Sequence, residues 1–304
     1  MTSISQSFKA TVESKFSLFF FPALFVLLWS TGFIGAKYGL PYVEPFTFLS
    51  LRFAITCAIL FMIIAIMRPP WPKSSRAVFH ISVSGLLLHG LYLGGIFSAI
   101  NLGMSAGIAA LIVGIQPILS CLFAKKMLDE TMSRFQWFGL ILGFLGVGLV
   151  VAEKIFAFKF GQDNATVIAF VAIAVSLIGI SYGIIYQKKY CAGMHPITGT
   201  SIQYASTFVL LFVIALTTEN MTIQWTGEFI FALFWLVGVL SIGSIFILMY
   251  LIQHRSMSSV TSLFYMVPPV TAVEEYLIYN QSLTSVALVG ILVVAIGVII
   301  ASKK

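Results

Sequence analysis

Apolar residues run through this chain in long stretches, without the regular polar positions of surface helices or strands. Ten stretches are each about 20 residues long, the length that an α-helix needs to cross a bilayer. Short polar connections separate them. The pattern therefore predicts an all-α integral membrane protein whose ten transmembrane helices lie near 18–36, 46–67, 77–100, 104–124, 135–152, 165–186, 197–217, 228–252, 258–279 and 284–301.

The composition supports the same class. Of the 304 residues, 60% are hydrophobic and 9% are charged, whereas a soluble domain is nearer half apolar and a quarter charged. The net charge of +7 comes from basic residues placed singly or in pairs, so a nucleic-acid partner is not expected. Cys57, Cys121 and Cys191 form no close-spaced motif. We therefore predict neither a metal site nor a cofactor.

The distribution of Lys and Arg predicts the orientation. If residues 1–17 are a cytoplasmic tail and the spans alternate, Lys37, Lys154 and Lys159 fall outside and Arg52 falls within a span. The other 13 of the 17 basic residues are then cytoplasmic, which is a strong positive-inside bias. Both termini are predicted to be cytoplasmic, with a periplasmic connecting loop at 153–164. The first apolar stretch is too long for a cleaved signal peptide, so it is interpreted as a retained helix.

The chain also matches itself at a fixed offset of 151 residues, which predicts two repeats at 18–152 and 165–304. Each repeat holds five spans, and an odd number makes the second repeat enter the membrane from the opposite side. Such inverted repeats are typical of secondary transporters, with the substrate site between the halves. The matching pairs include Ser30 with Ser181, Gly32 with Gly183, Lys37 with Lys188, Pro45 with Pro196, Thr47 with Thr198, Pro117 with Pro268 and Gly139 with Gly290.

Several segments resemble the drug/metabolite transporter superfamily, in its EamA-like branch of ten-helix permeases. They are WSTGFIGAKYGL with EPFTFLSLRF, GIQPILSCLFAKKMLDETMS and MVPPVTAVEEYLIYNQSL. The resemblance implies a bacterial inner-membrane carrier with a central cavity that moves small metabolites, often amino acids outward. One departure is Asn280-Gln281, where the second half of family members usually has Gly-Glu; Glu130 is the matching residue of the first half.

His89 is the first candidate for the cavity, because it lies mid-span, where ionisable residues are expensive and mark functional sites. It could couple transport to protons, or it could be a neutral histidine bonded to a neighbouring helix. Tyr92 lies three residues later on the same helical face. Arg52 also lies within a span, and either anchors its helix at the interface or attracts a substrate carboxylate. Its match at the offset is Gln203, beside Tyr204.

Proline and glutamate mark candidate moving parts. Gln116-Pro117 lies mid-span, and its match Pro268 suggests a pair of hinges, although static kinks would explain both prolines. The offset places Glu274 and Glu275 near the outer end of the ninth helix. We interpret Glu274 as a gate or cavity-mouth residue, in preference to the alternative role of a central proton carrier. The remaining aromatic candidates for the cavity are Trp29, Tyr182, Tyr204, Tyr250 and Tyr265, of which Tyr182 and Tyr250 are preferred.

The sequence thus predicts a secondary transporter, not an enzyme, that moves small metabolites by alternating access. Neutral or aromatic amino acids moving outward are the first expectation for the cargo. The main alternative is an uptake carrier or exchanger for a nucleoside-like or S-adenosylmethionine-like metabolite, and an intramembrane enzyme or receptor is a distant one. The expected partners are the small-molecule substrate and the lipid bilayer, with protons as a candidate coupling ion. The oligomeric state is not predicted.

Overall fold

The computed structural model describes residues 2–104, 106–150, 152, 164–279 and 284–302. Within them the chain forms ten consecutive helices. The segment 153–163 and the Asn280-Gln281 departure lie outside the described residues. The first five helices are α1 Thr2–Gly39, α2 Pro45–Met67, α3 Ser75–Asn101, α4 Ala106–Val113 with Gln116–Leu128, and α5 Arg134–Val150. The second five are α6 Asn164–Tyr190, α7 Pro196–Thr218, α8 Gly227–His254, α9 Met257–Ser262 with Leu263–Met266 and Val267–Tyr279, and α10 Ser285–Ser302.

The described helices have the length and surface of membrane spans. Six of them, α1, α2, α3, α6, α7 and α8, are long and apolar enough to cross a bilayer by length and composition. The helices α5 and α10 are apolar but shorter, and α4 and α9 are each interrupted. On α6, Val167, Ile168, Val171 and Ile178 are all more than half exposed. Exposed apolar rows of this kind face lipid rather than water, which confirms the prediction of an all-α integral membrane protein.

Helices begin and break at equivalent places in the two halves. Pro45 and Pro196 are the first residues of α2 and α7, where the missing N–H of proline costs no helical hydrogen bond. Pro117 and Pro268 are the second residues of the later segments of α4 and α9. Proline cannot donate a helical hydrogen bond to the preceding turn, which explains why both helices are interrupted just before it.

The close contact between α5 and α10 shows the relation between the halves. A methyl group added at Gly139 in α5 would lie 2.7 Å from the carbonyl oxygen of Gly297 in α10. One added at Gly290 would lie 2.9 Å from the carbonyl oxygen of Gly146. The offset of 151 residues converts the first contact into the second. Glycines allow this close backbone approach between membrane helices, and the exchange of contacts is that of a two-fold axis.

Other contacts follow the same exchange. The helix α2 packs against its own equivalent, α7. The helix α1 packs against α8 and α9, and correspondingly α6 packs against α3 and α4. Five crossings separate α1 from α6, so the equivalent helices run in opposite directions. The fold therefore consists of two inverted five-helix repeats whose helices pack against each other.

We call the face where α1 ends the far face, and the opposite one the near face. At the far face, Glu219 accepts hydrogen bonds from the backbone N–H groups of Phe46 and Thr47 at 2.8 and 2.7 Å. Glu44 accepts one from Asn220 N–H at 2.8 Å. A carboxylate at a helix N-terminus satisfies free N–H groups and matches the helix dipole. These bonds join the α1–α2 connection to the end of α7.

A different contact joins the helix ends at the near face. Lys188, near the end of α6, lies 2.9 Å from Glu130, which follows α4. Lys188 also donates a hydrogen bond to the carbonyl oxygen of Arg255 at 3.1 Å. The other oxygen of Glu130 accepts one from Met257 N–H, at the start of α9, at 3.2 Å. Both faces of the bundle therefore have polar contacts that connect the halves.

Candidate functional site

A cavity lies within the bundle between α1, α2, α3 and α8, and therefore between helices of both halves. The space inside it that is open to water-sized solutes is about 40 Å³, room for roughly three water molecules, so a metabolite enters only if the surrounding helices move apart. Glycine, leucine, isoleucine and phenylalanine form most of its wall. The other side chains that line it are Trp29, Arg52, His89 and Tyr92. The structure thus brings together four of the residues that the sequence singled out.

Trp29 and Tyr92 form an aromatic pair on one wall of the cavity. Their rings are nearly parallel, at an angle of 19° with centroids 6.1 Å apart. The indole N–H of Trp29 donates a hydrogen bond to the Tyr92 hydroxyl at 3.3 Å. Phe264 of α9 packs edge-on against Trp29, with centroids 5.4 Å apart. The pair therefore presents a fixed aromatic surface, held by α1, α3 and α9.

Arg52 is 4% exposed, so its charge is buried in the bundle. Its Nε–H donates a hydrogen bond to the Ser241 hydroxyl in α8 at 2.8 Å, and its guanidinium carbon lies 5.6 Å from the Phe53 ring centroid. Among the described residues, no carboxylate lies within 4.0 Å of the Arg52 guanidinium. No described residue accepts a hydrogen bond from its two terminal nitrogens. A guanidinium has five N–H donors, so most of them have no acceptor among the described residues and are free to bind a ligand in the cavity.

His89 lies in a stretch of α3, Leu86–Leu91, that has π-helical hydrogen bonding. It is 2% exposed, and its Nε2 has no hydrogen-bond partner among the described residues. Its ring centroid lies 4.6 Å from that of Tyr204. Leu236–Ser244 of α8 is also π-helical. Such segments occur often at functional sites, because they turn side chains away from the regular helical positions.

Gln203 and Tyr204, both in α7, lie behind the cavity rather than on its wall. The Tyr204 hydroxyl donates a hydrogen bond to the Ser241 carbonyl oxygen at 2.7 Å, and so fixes the backbone of the residue that contacts Arg52. The Gln203 amide nitrogen donates to the Ser84 hydroxyl at 2.6 Å and to the Gln187 side-chain oxygen at 2.8 Å. Gln203 therefore belongs to a polar cluster between α3, α6 and α7.

The structure places the remaining candidate aromatics away from the cavity wall. Tyr182 packs edge-on against Phe123, with centroids 5.5 Å apart. Tyr250 is 38% exposed, and its ring stacks on His254. Tyr265 is fully buried beside Gly143 of α5, and its hydroxyl has no partner in the described part of the chain.

The residues around the helix breaks are buried in other contacts. Gln116 is fully buried, and its amide nitrogen donates a hydrogen bond to the Ser120 hydroxyl at 3.1 Å. In α9, one oxygen of Glu274 accepts a hydrogen bond from the Ser30 hydroxyl at 2.6 Å, and its other oxygen is buried with no partner among the described residues. Ser30 lies in the middle of the span Phe20–Tyr42. Glu274 is thus deeper than the outer-end position that the repeat offset predicts.

Ser241 is the main residue of this site that the sequence analysis did not single out. It is fully buried and contacts Arg52 through its hydroxyl and Tyr204 through its carbonyl oxygen. Serine is common in membrane helices, where it often bonds its own backbone. No spacing in the sequence distinguishes Ser241 from the other serines of the spans.

Comparisons with known proteins agree with the architecture. The model of the EamA-like transporter family matches residues 16–152 and 165–303. A solved crystal structure aligns with a TM-score of 0.73 at 19% identity, covering 93% of this chain and 95% of the other. At that identity the likeness concerns the fold alone.

Three curated relatives are similar in sequence. The uncharacterized transporter YvbV of Bacillus subtilis is 28% identical over 93% of this chain and 90% of its own length. The uncharacterized inner membrane transporter YedA of Escherichia coli K12 is 24% identical over 83% and 80%. A probable amino-acid metabolite efflux pump of Salmonella typhimurium is 26% identical over 56% and 53%. Since the family model covers both halves, the chain is a member of the EamA-like transporter family.

Proposed function

We propose that this protein is a secondary carrier that moves small amphipathic metabolites, with neutral or aromatic amino acids as the first class, outward across the inner membrane. One observation carries the proposal. A buried cavity between the halves presents the Arg52 guanidinium beside the Trp29–Tyr92 aromatic pair. The chemistry of this lining matches a metabolite with a polar end and an apolar body. The relative that is named a probable amino-acid metabolite efflux pump favours the same cargo.

Alternating access is the mechanism that the fold supports best. Inverted repeats can exchange conformations, so that a central site opens first to one face and then to the other. The equivalent breaks in α4 and α9 provide points of bending, with Pro117 and Pro268 in the first turn after each break. The contacts of Glu219 at the far face and of Glu130 at the near face are the ones that such a cycle would break in turn.

The proposed orientation has both termini in the cytoplasm, so the near face is cytoplasmic. It rests on the excess of Lys and Arg at that face. With this orientation the unit 18–152 enters the membrane from the cytoplasm and the unit 165–304 from the periplasm. The relative YedA, named as an inner membrane transporter, supports the same location.

Counterflow in proteoliposomes tests the function directly. Vesicles with the full chain are loaded with one unlabelled solute from a panel of amino acids and related carboxylates, and uptake of the labelled solute is followed with and without a pH gradient. We expect saturable exchange of at least one panel member, absent from protein-free vesicles. The proposal is wrong if monodisperse, helical protein exchanges none of them.

A deletion strain tests the direction of transport. The strain becomes sensitive to the compound if the protein exports it, whereas loss of an importer lowers the accumulation of the compound in the cell.

A further inference from the structure

One pair of equivalent residues, Arg52 in α2 and Gln203 in α7, differs in hydrogen bonding. In α7, both N–H groups of the Gln203 amide are used, by the Ser84 hydroxyl and the Gln187 side-chain oxygen. In α2, Arg52 occupies the position 151 residues earlier and has one hydrogen bond, to Ser241. The second half therefore satisfies both N–H groups of a neutral amide with protein acceptors, although the Gln203 amide oxygen has no partner among the described residues, while the first half leaves a cation with free donors.

The equivalent helices α6 and α1, which neighbour these positions, explain the difference in hydrogen bonding. Gln187 of α6 supplies the second acceptor for Gln203, and the residue 151 positions earlier is Ala36 of α1, which is fully buried and has no acceptor. An acceptor for Arg52 must then come from outside the described protein residues.

Leaving a buried guanidinium without acceptors is expensive, since the desolvation of an ion in a protein costs several kcal/mol. A carboxylate removes that cost well, because its two oxygens accept two parallel N–H bonds from the guanidinium fork. One guanidinium balances one negative charge. A monoanion therefore leaves the loaded cavity neutral, whereas a dianion such as a phosphate monoester would leave an excess negative charge in the bilayer.

The rest of the cavity decides what the carboxylate is attached to. The Trp29–Tyr92 pair lines the same cavity as the charge, with Phe33 and Phe97 among the other lining residues. No aspartate or glutamate is among the lining residues that the structure describes. Among the described lining residues an α-ammonium group would find no carboxylate, so the charge of the cavity favours the acid end of a ligand over its amine.

We infer that Arg52 is the carboxylate anchor of this cavity, and that the substrate class is monocarboxylates with a planar apolar body, with or without an α-ammonium group. This inference rests on the proposed function and deepens it, because it extends the cargo from amino acids to deaminated acids of the same shape. The Arg52 hydrogen bond to Ser241 holds the fork in place, and the aromatic pair receives the body.

A matched set of probes tests the anchor. Phenylalanine, 3-phenylpropanoate, phenethylamine and phenyl phosphate share one ring and differ in charge. Each is measured as a competitor of counterflow and, by calorimetry on the purified full chain, as a direct ligand. We expect 3-phenylpropanoate to compete at least as well as phenylalanine, and both to compete roughly 100-fold better than phenethylamine. Phenyl phosphate is expected to be weaker than 3-phenylpropanoate.

Variants then locate the effect at Arg52. Arg52→Gln should weaken the two carboxylates roughly 100-fold and leave phenethylamine unchanged, and Arg52→Lys should lie between, because an ammonium lacks the bidentate fork. Arg76→Gln removes an exposed guanidinium of α3 and should behave as the parent protein. Because Arg52→Lys keeps the charge, it decides the matter even if Arg52→Gln is poorly folded.

The inference and the proposed function fail in different ways. If the parent protein transports a panel solute but phenethylamine or phenyl phosphate competes as well as 3-phenylpropanoate, the monocarboxylate class is wrong. Unchanged carboxylate affinity in both Arg52 variants would refute the anchor. If the folded parent protein exchanges no solute of the wider panel, the carrier function itself is wrong.

Discussion

The helices α2 and α7 are equivalent in position, pack against each other, and begin at the equivalent residues Pro45 and Pro196. At their centres they differ. Gln203 uses both amide hydrogens within a cluster of protein side chains, whereas Arg52 has one hydrogen bond and faces a cavity. The backbone symmetry builds the scaffold, and the chemical difference at one equivalent pair marks the place where we propose that a ligand binds.

A second pair of helices shows the same kind of difference. Ser30 of α1 donates its hydroxyl to Glu274 of α9. In the other half Ser181 of α6 is equivalent to Ser30, but the position equivalent to Glu274 is Phe123, which packs against Tyr182. The Ser181 hydroxyl has no partner among the described residues. A carboxyl group is therefore present on only one side of an otherwise matched contact, which makes Glu274 the second residue to test for function.

The largest expected effect comes from placing a charge in the second-half cluster. Gln203→Glu is nearly isosteric, but it replaces the amide nitrogen, which donates two hydrogen bonds, with an oxygen that cannot donate to the Gln187 side-chain oxygen or to the Ser84 hydroxyl. We expect about 3 kcal/mol of destabilisation, as for a buried charge without a partner. The measurement is the midpoint of thermal unfolding of the purified protein in detergent.

Arg52→Gln is the reciprocal control for that change. It removes a buried cation that lacks a partner and should leave the unfolding midpoint equal to or above that of the parent, while carboxylate transport is lost. Equal destabilisation by Gln203→Glu and Arg52→Gln would mean that both positions are structural, and the contrast between α2 and α7 would disappear.

The two serines that contact these residues sharpen the comparison. Ser241→Ala removes the hydrogen bond to the Arg52 guanidinium, and we expect substrate affinity to fall roughly 30-fold, the range for a bond to a charged group. Ser84→Ala removes two neutral bonds in the Gln203 cluster, one accepted from Gln203 and one donated to Gln187, and should cost about 2 kcal/mol of stability. Substrate affinity should remain unchanged in Ser84→Ala. Half-saturation constants of counterflow, with unfolding midpoints for both variants, check this pair.

Much of the fold follows from patterns that the sequence displays. Apolar length predicts the spans, because a bilayer requires about 20 residues per helix. The fixed offset pairs Gly139 with Gly290, and both lie in the α5–α10 contact, where close approach demands glycine. The ionisable residues Arg52 and His89 are visible as candidates because charge within a span needs a reason.

The details of the site depend on geometry that no spacing encodes. His89 and Leu240 reach the cavity from π-helical stretches of α3 and α8, and those stretches shift the face on which each side chain lies. Tyr92, Tyr182 and Tyr250 are all tyrosines within spans, so the sequence does not distinguish them. The packing of neighbouring helices leaves Tyr250 exposed, buries Tyr182 against Phe123 and places Tyr92 on the cavity wall.

The smallest effect is expected at Glu274, and it concerns coupling rather than binding. Its unpaired oxygen is buried at the level of the middle of α1, so a proton bound there removes a charge from the bilayer. If Glu274 carries the coupling proton, a gradient of one pH unit supplies about 1.4 kcal/mol per proton. That corresponds to roughly tenfold accumulation of substrate at most.

Glu274→Gln, which cannot exchange a proton, should abolish this accumulation and its pH dependence while counterflow at equal pH continues. Glu275→Gln, one residue along, is the control and should keep the response. If Glu274→Gln accumulates substrate as the parent protein does, the carboxyl group serves only its hydrogen bond to Ser30, and the difference between the α1–α9 and α6–α4 contacts is structural.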